Sequence, residues 1–224
     1  MACAGSVAGT DAVTTAPTFA SPLMVGASTT TLRVTATRYA FVVLPSAAVI
    51  VGSLLITLIR HADRVSMANL AQLVNVIAPI RAEPDGPAWR QPTFFPFRDA
   101  AHHARGSVVL PRIEGGTIET ERHGRAPLVD AVATLDGDAL TVFAVHRGLD
   151  EGAQLRIEIP ANASLVSATV LAGPDGDRLA TNTAFSEPVA PRPLEVHPET
   201  DAGTALSATL PPVSWAVLRL TLAP

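Results

Sequence analysis

Side-chain periodicity in this chain changes once, near Gly106, and that change limits the folds open to it. Before Gly106, apolar residues come in helical spacing or in short continuous runs. After it they alternate with period two, the mark of strands with one face buried. Leu155-Arg156-Ile157-Glu158-Ile159 alternates cleanly and points Leu155, Ile157 and Ile159 inward. Residues 131–135 and 139–145 flank Asp136-Gly137, a pair that favours a tight primed hairpin turn. Residues 165–171 and 205–210 continue the theme, and 215–222 close it with Ala216, Leu218, Leu220 and Leu222 on one face. Short strands separated by Pro, Gly and Asp predict an antiparallel β-sandwich over 106–224. Such a sandwich is expected to fold with little help from the rest of the chain.

Residues 48–105 follow a different grammar. Residues 48–61 are apolar, hold Leu54, Leu55 and Leu58, and have no internal proline, which predicts a helix. Asp63 is placed to cap a second short helix over 66–73. Val74-Asn75-Val76-Ile77-Ala78 is a nearly continuous apolar run, as expected of a strand buried on both faces. A loop and a final helix over 93–104 complete the pattern. Helix, buried strand, loop and helix make a parallel α/β unit. The fold class is therefore α+β.

Residues 1–47 are rich in Ala, Thr, Val and Ser, with Asp11 as their one acidic residue. Without a basic start or an early apolar core they do not read as a secretory signal, and a disordered leader is expected. The twenty uncharged residues 40–59 have the length of a membrane span. Pro45, Gly52, Ser53 and the polar continuation at His61 fit a buried helix instead. A net charge of −4 provides no basic footprint, so nucleic acid is not an expected partner. All sixteen basic side chains are arginine, which reads as codon bias, and the single cysteine, Cys3, excludes an internal disulfide.

Few residues carry a chemical signal. His61 with His102-His103 lacks a ligand spacing, so no metal site is expected. Gly115-Gly116 reads as a turn, and Asn162-Ala163-Ser164 as a chance match to a glycosylation acceptor. His61, Asp63 and Arg64 suggest an ion-paired contact between helices. Gln91 is different, because it follows the expected buried strand in a loop that also holds Trp89. An amide beside an indole suits sugar hydroxyls, one group bonding and the other stacking.

Several runs bear on this last point. They are Arg60-His61-Ala62-Asp63-Arg64-Val65, Ala71-Gln72-Leu73-Val74-Asn75-Val76-Ile77-Ala78-Pro79-Ile80 and Ala88-Trp89-Arg90-Gln91. Further on come Leu128 to Ala131, Val142-Phe143-Ala144-Val145-His146-Arg147, Ala180-Thr181-Asn182-Thr183-Ala184 and Leu210-Pro211-Pro212-Val213-Ser214-Trp215. In this order they resemble the C-terminal part of the intracellular α-L-arabinofuranosidases of glycoside hydrolase family 51. The resemblance covers roughly three quarters of the chain, from Val49 to Leu220.

That resemblance implies residues 48–105 as the remnant of the end of a (β/α)8 barrel, helices and one strand, followed by the β-sandwich. It implies a cytoplasmic hydrolase of L-arabinose metabolism that removes terminal non-reducing α-L-arabinofuranosides from arabinan and arabinoxylan oligosaccharides, without a cofactor. It also implies a homo-oligomer. Retaining hydrolysis needs two carboxyl groups about 5 Å apart. The family's two glutamates lie upstream of the segment matching Val49, where this chain has only Asp11. No catalytic residue carries over, and an inactive fragment is expected. Gln91 alone matches an arabinose-binding position, with Trp89 beside it. The alternative is a non-catalytic sandwich that binds a partner or a carbohydrate, tethered to a membrane by 40–59.

Overall fold

The computed structural model describes residues 43–122, 124–199 and 205–223, together with the backbone of 22–25 and 28–31. Residues 1–40 and 41–224 are separate compact units. Of the first, a hairpin of β1 (Pro22–Val25) and β2 (Ser28–Thr31) is described. The rest of the expected leader, up to residue 42, lies outside the described residues, and residues 45–47 turn out helical.

The second unit runs α1 (Pro45–Arg60), β3 (Ile80–Ala82), β4 (Ala88–Arg90), α2 (Phe94–His103), β5 (Ser107–Val109), β6 (Thr117–Thr120) and β7 (Gly124–Pro127). It continues with β8 (Val129–Asp136), β9 (Ala139–His146), β10 (Ala153–Glu158), β11 (Ala163–Leu171), β12 (Arg192–Pro193), β13 (Val196–Glu199), β14 (Ala205–Leu210) and β15 (Ser214–Leu222). Six strands form one antiparallel sheet in the order β12-β11-β15-β9-β8-β5, and three form another, β10-β14-β13. The β8–β9 hairpin closes on Gly137 and Asp138. Gly137 sits there at φ +62, a positive φ that glycine adopts without steric cost.

The two faces of the large sheet are covered differently. Val142, Ala216, Leu218 and Leu220 point toward the small sheet and form one core with Leu206 and Leu210. Leu140, Leu155, Ile157 and Ile159 pack against that core half-buried, so the inward register expected for these strands is observed. The opposite face carries Val132, Phe143, Val145, Trp215 and Val217, and it is covered by α1 and α2. The sandwich expected to stand with little help therefore shares half its core with the helices. Period-two reading assigns one buried face to each strand, whereas β15 at the sheet centre buries both.

Each helix has a local reason for its limits. Pro45 sits in the first turn of α1, where its missing N–H costs nothing, and Arg60 in the last turn complements the helix dipole. Its inner stripe is Ala48, Val49, Gly52 and Ile56. On α2, Phe95, Pro96, Asp99 and Ala100 face inward. Among the described residues, no helix is long and apolar enough to cross a membrane.

Two expected elements between the helices are not formed. Residues 66–73 make irregular chain with bends rather than a helix. Met67 and Leu73 are exposed, and a helix that short needs a packed apolar face to hold it. The expected buried strand at 74–78 is reduced to one parallel bridge, Val74 to Ile80. Asn75 and Val76 have φ of +66 and +54, and Ala78 alone in this run is buried. A strand buried on both faces requires full pairing with flanking strands, and among the described residues this run pairs with a strand only at that bridge to β3.

A polar clamp fixes the end of α1 to the sheet. Arg60 Nη2 donates to Asp130 Oδ1 at 2.6 Å and to the Ala131 carbonyl at 3.1 Å. Arg147 Nη2 donates to Asp130 Oδ2 at 3.0 Å, and its Nε reaches Ser53 Oγ at 3.3 Å. Burial opposes the charged form of Asp130, but hydrogen bonds from Arg60 and Arg147 outweigh it and hold the carboxyl below its ordinary value. On acidification the unfolded carboxyl, ordinarily near about 3.9, then binds its proton first, and protonation favours unfolding. The clamp's contribution should be complete above that value and lost as pH falls through the lower folded value. Urea midpoints measured from pH 5 downward should fall more steeply for the wild type than for Asp130→Asn.

Candidate functional site

The segment singled out by sequence begins at the β3–β4 hairpin, in which Arg81 pairs with Trp89. Trp89 is half-buried, and the Arg81 guanidinium lies 6.0 Å from its ring centroid. Alternation along β4 sends Arg90 the other way. Its Nε and Nη2 donate to Glu187 Oε1 at 2.8 Å and Oε2 at 2.5 Å. The same guanidinium lies 5.3 Å from the Phe95 ring centroid and 5.7 Å from that of Phe94. A planar fork on a carboxylate with its face over aromatic rings is an arrangement lysine could not reproduce.

Gln91 is 4% exposed. Its backbone N–H donates to the Pro79 carbonyl at 2.8 Å, and its side-chain Nε2 donates to the Ala78 carbonyl. Both bonds tie the entrance of α2 to the chain just before β3. Sequence reasoning places Gln91 and Trp89 together, and the structure holds them two residues apart on one strand and its exit.

The partner of this hairpin comes from far along the chain. Asn182 Nδ2 donates to the Arg90 carbonyl at 3.0 Å and to the Val189 carbonyl at 2.9 Å, while Asn182 Oδ1 accepts the Val189 N–H at 2.9 Å. Thr183 Oγ1 accepts the N–H groups of Phe185 and Ser186 at 3.3 and 3.1 Å. The loop 183–187 is thereby set against β4, and the two enclose an open groove of about 320 Å³. Trp89, Arg90, Phe185 and Glu187 line it, with Phe185 95% exposed at the loop tip. Sequence reasoning misses Asn182, Phe185 and Glu187 as site residues. Their one local signal is the turn-forming Thr181-Asn182-Thr183, which does not reveal its partner 92 residues away.

Other candidates take structural places. His61, Asp63 and Arg64 do not bridge two helices as expected. All three are exposed beyond the end of α1, where Arg64 reaches Asp63 at 3.5 Å and His61 Nδ1 at 3.2 Å. The interhelical reading fails because Asp63 caps no second helix, and the inter-element ion pair is made by Arg60 instead. His103 ends α2. Burial, then the charge of Arg219, holds its imidazole below the ordinary value. Among the described residues, no cluster of His, Cys, Asp and Glu could hold a metal ion.

Comparison with known proteins locates this arrangement. Residues 44–214 match the family model described as the alpha-L-arabinofuranosidase C-terminal domain. The chain is similar to an intracellular exo-alpha-(1->5)-L-arabinofuranosidase of Bifidobacterium longum, 45% identical over 177 residues that cover 75% of this chain and 31% of the relative. Similarity to the enzyme of that name from Streptomyces lividans is also 45%, over 77% of this chain and 26% of the relative. A solved family 51 alpha-L-arabinofuranosidase from Bifidobacterium longum superposes with a TM-score of 0.73 at 43% identity, covering 80% of this chain and 35% of its own. The arabinofuranosidase of Xanthomonas axonopodis pv. citri, at 21% identity and a TM-score of 0.70, shares the fold. The chain thus spans about a third of the length of these relatives.

Asn182→Ala would leave the Arg90 and Val189 carbonyls and the Val189 N–H without these partners. Buried groups left unpaired cost about 1–3 kcal/mol. A thermal melt of the variant should show a loss of that size, and hydrogen exchange should quicken over 183–189. An unchanged melt would show that the loop does not depend on Asn182.

Proposed function

The chain belongs to the family of the α-L-arabinofuranosidase C-terminal domain, and we propose that it carries the C-terminal share of a family 51 exo-acting α-L-arabinofuranosidase. The observation that carries this reading is the 45% identity sustained over three quarters of the chain. On this reading residues 48–105 are the end of a (β/α)8 barrel and 106–224 its β-sandwich. The work of the whole protein is retaining hydrolysis of terminal α-L-arabinofuranosides on arabinan and arabinoxylan oligosaccharides. The intracellular designation of these relatives supports a cytoplasmic setting.

Within that work, Gln91 and Trp89 are the arabinose-facing residues this chain supplies. An amide has two donors and one acceptor. One Nε2 hydrogen goes to Ala78, which fixes the orientation of the group, and the remainder suits ring hydroxyls of a pentose. Trp89 offers a half-exposed indole whose face suits C–H groups of the sugar. The retaining pair of carboxylates is not carried here, since Asp11 is the one acidic residue before Asp63. The isolated chain is therefore without hydrolytic activity, because loss of even one member of a catalytic set costs several orders of magnitude. A non-catalytic, membrane-tethered module has no specific observation in its favour.

The experiment is a chimera in which residues 43–224 replace the matched part of the Bifidobacterium longum relative. It should hydrolyse an aryl α-L-arabinofuranoside, while the purified chain alone stays at background. Gln91→Ala in the chimera should lower kcat/KM by about tenfold or more, the loss of one or two sugar hydrogen bonds. A folded chimera without activity, or turnover by the chain alone, would overturn the reading.

A further inference from the structure

The loop 183–187 holds an aromatic ring in water, and its backbone is braced while it does so. Phe185 is 95% exposed. Thr183 Oγ1 accepts the N–H groups of Phe185 and Ser186, and the Thr183 N–H donates to the Ser186 carbonyl at 2.8 Å. Glu187, at the end of the loop, is clamped by Arg90. A lone exposed aromatic needs no explanation, but one on a braced loop is already in place for a ligand and loses little freedom on binding.

The groove beside this ring narrows the chemistry of that ligand. Trp89 lines it too, so two aromatic side chains border one hollow. Its two charged lining residues, Arg90 and Glu187, neutralise each other, so the groove favours neither an anion nor a cation. The Ser186 hydroxyl and the edges of the ion pair are polar. Aromatic faces among such edges suit a neutral polyhydroxylated chain, which stacks its C–H faces and bonds through its hydroxyls. Position narrows it further, because Trp89 lies two residues before Gln91, about 7 Å along extended chain. An exo-acting enzyme holds the terminal sugar at its reacting centre, so the rest of the oligosaccharide must run outward over the surface.

We propose that this groove seats the leaving part of an arabinan chain, with Phe185 and Trp89 as its stacking residues. Phe185 is then a specificity-determining contact that favours oligosaccharides over small arabinosides. The inference rests on the arabinofuranosidase reading above, and adds to it a subsite built by the loop between β11 and β12.

The test is a titration of the full chain with linear alpha-(1->5)-arabinopentaose, the linkage in the relative's name, followed by NMR at the indole N–H groups. That of Trp89 should shift, while that of Trp215, buried and bonded to Asp99, should stay in place. Phe185→Ala should weaken binding by about fivefold to tenfold, the size of one aromatic contact, and Phe185→Tyr should restore it. The ring lies in solvent, so neither substitution should move the thermal midpoint. In the chimera, Phe185→Ala should lower kcat/KM on the pentaose relative to methyl α-L-arabinofuranoside by the same factor, through KM. The methyl group is too small to reach the groove, and a merely structural loss would lower both alike. No shift at Trp89, an equal shift with maltopentaose, or binding indifferent to Phe185→Ala would overturn the inference. Binding as expected beside a chimera that does not hydrolyse would leave the groove standing and count against the arabinofuranosidase reading alone.

Discussion

The helical layer and the sheet meet at Trp215. Its side chain is 1% exposed, lies against Phe143 with ring centroids 5.7 Å apart, and donates its indole N–H to Asp99 Oδ2 of α2 at 3.1 Å. The other helix approaches over Gly52, where a Cβ would fall 2.5 Å from Trp215 Cε3 and 3.1 Å from Val145 Cγ1. Glycine in a helix interior ordinarily costs about 1 kcal/mol relative to alanine. Here it sets how closely the helix approaches, and burial of the indole outweighs that cost, since removing a buried aromatic typically costs about 3–5 kcal/mol. Asp99 also accepts Arg98 at 2.6 Å, so the buried carboxylate is satisfied on both oxygens. With α1 set by Gly52 and α2 by Asp99, the position of Gln91 at the entrance of α2 follows.

Much of the sheet was legible because its residues declare themselves locally. The alternation in 155–159 and 215–222 and the turn signal at Asp136-Gly137 depend on near neighbours; β10 and β15 form where they predict, and the β8–β9 hairpin forms with its turn one residue later, on Gly137 and Asp138. Both long helices were legible for the same reason. What could not be read were properties set by distant partners. Trp215 alternates like its neighbours, and nothing in the pattern says that its face meets two helices from 45–103. The run at 74–78 has the composition of a buried strand, but a strand's conformation is decided by the strands beside it. Asn182 and Glu187 likewise gain meaning only through Arg90.

The same division separates what this chain supplies from what its family's chemistry requires. The chain contributes a cross-braced platform, in which Arg90–Glu187, Asn182 and the Gln91–Ala78 bond lock β4, the loop 183–187 and α2 together. The Gln91 amide is buried in this platform and bonded to the Ala78 carbonyl, while the Trp89 indole is half-buried beside Arg81. Carboxylates for a double displacement are not among the residues it brings together. Asn182 and Glu187, which brace β4, lie in the chain between β11 and β12, so the sandwich part of the chain helps to hold this hairpin.

That dependence is tested most directly by removing the helices. Residues 107–224 and residues 43–224 would be unfolded in urea side by side, with a dye that reports exposed apolar surface. If Trp215 and the helices complete one cooperative core, the shorter chain should bind the dye and show a broad transition of low slope, as expected of packing lost with secondary structure retained. The longer chain should unfold in a single sharp step. A sharp transition in residues 107–224, with a midpoint equal to that of the longer chain and no dye binding, would contradict the account.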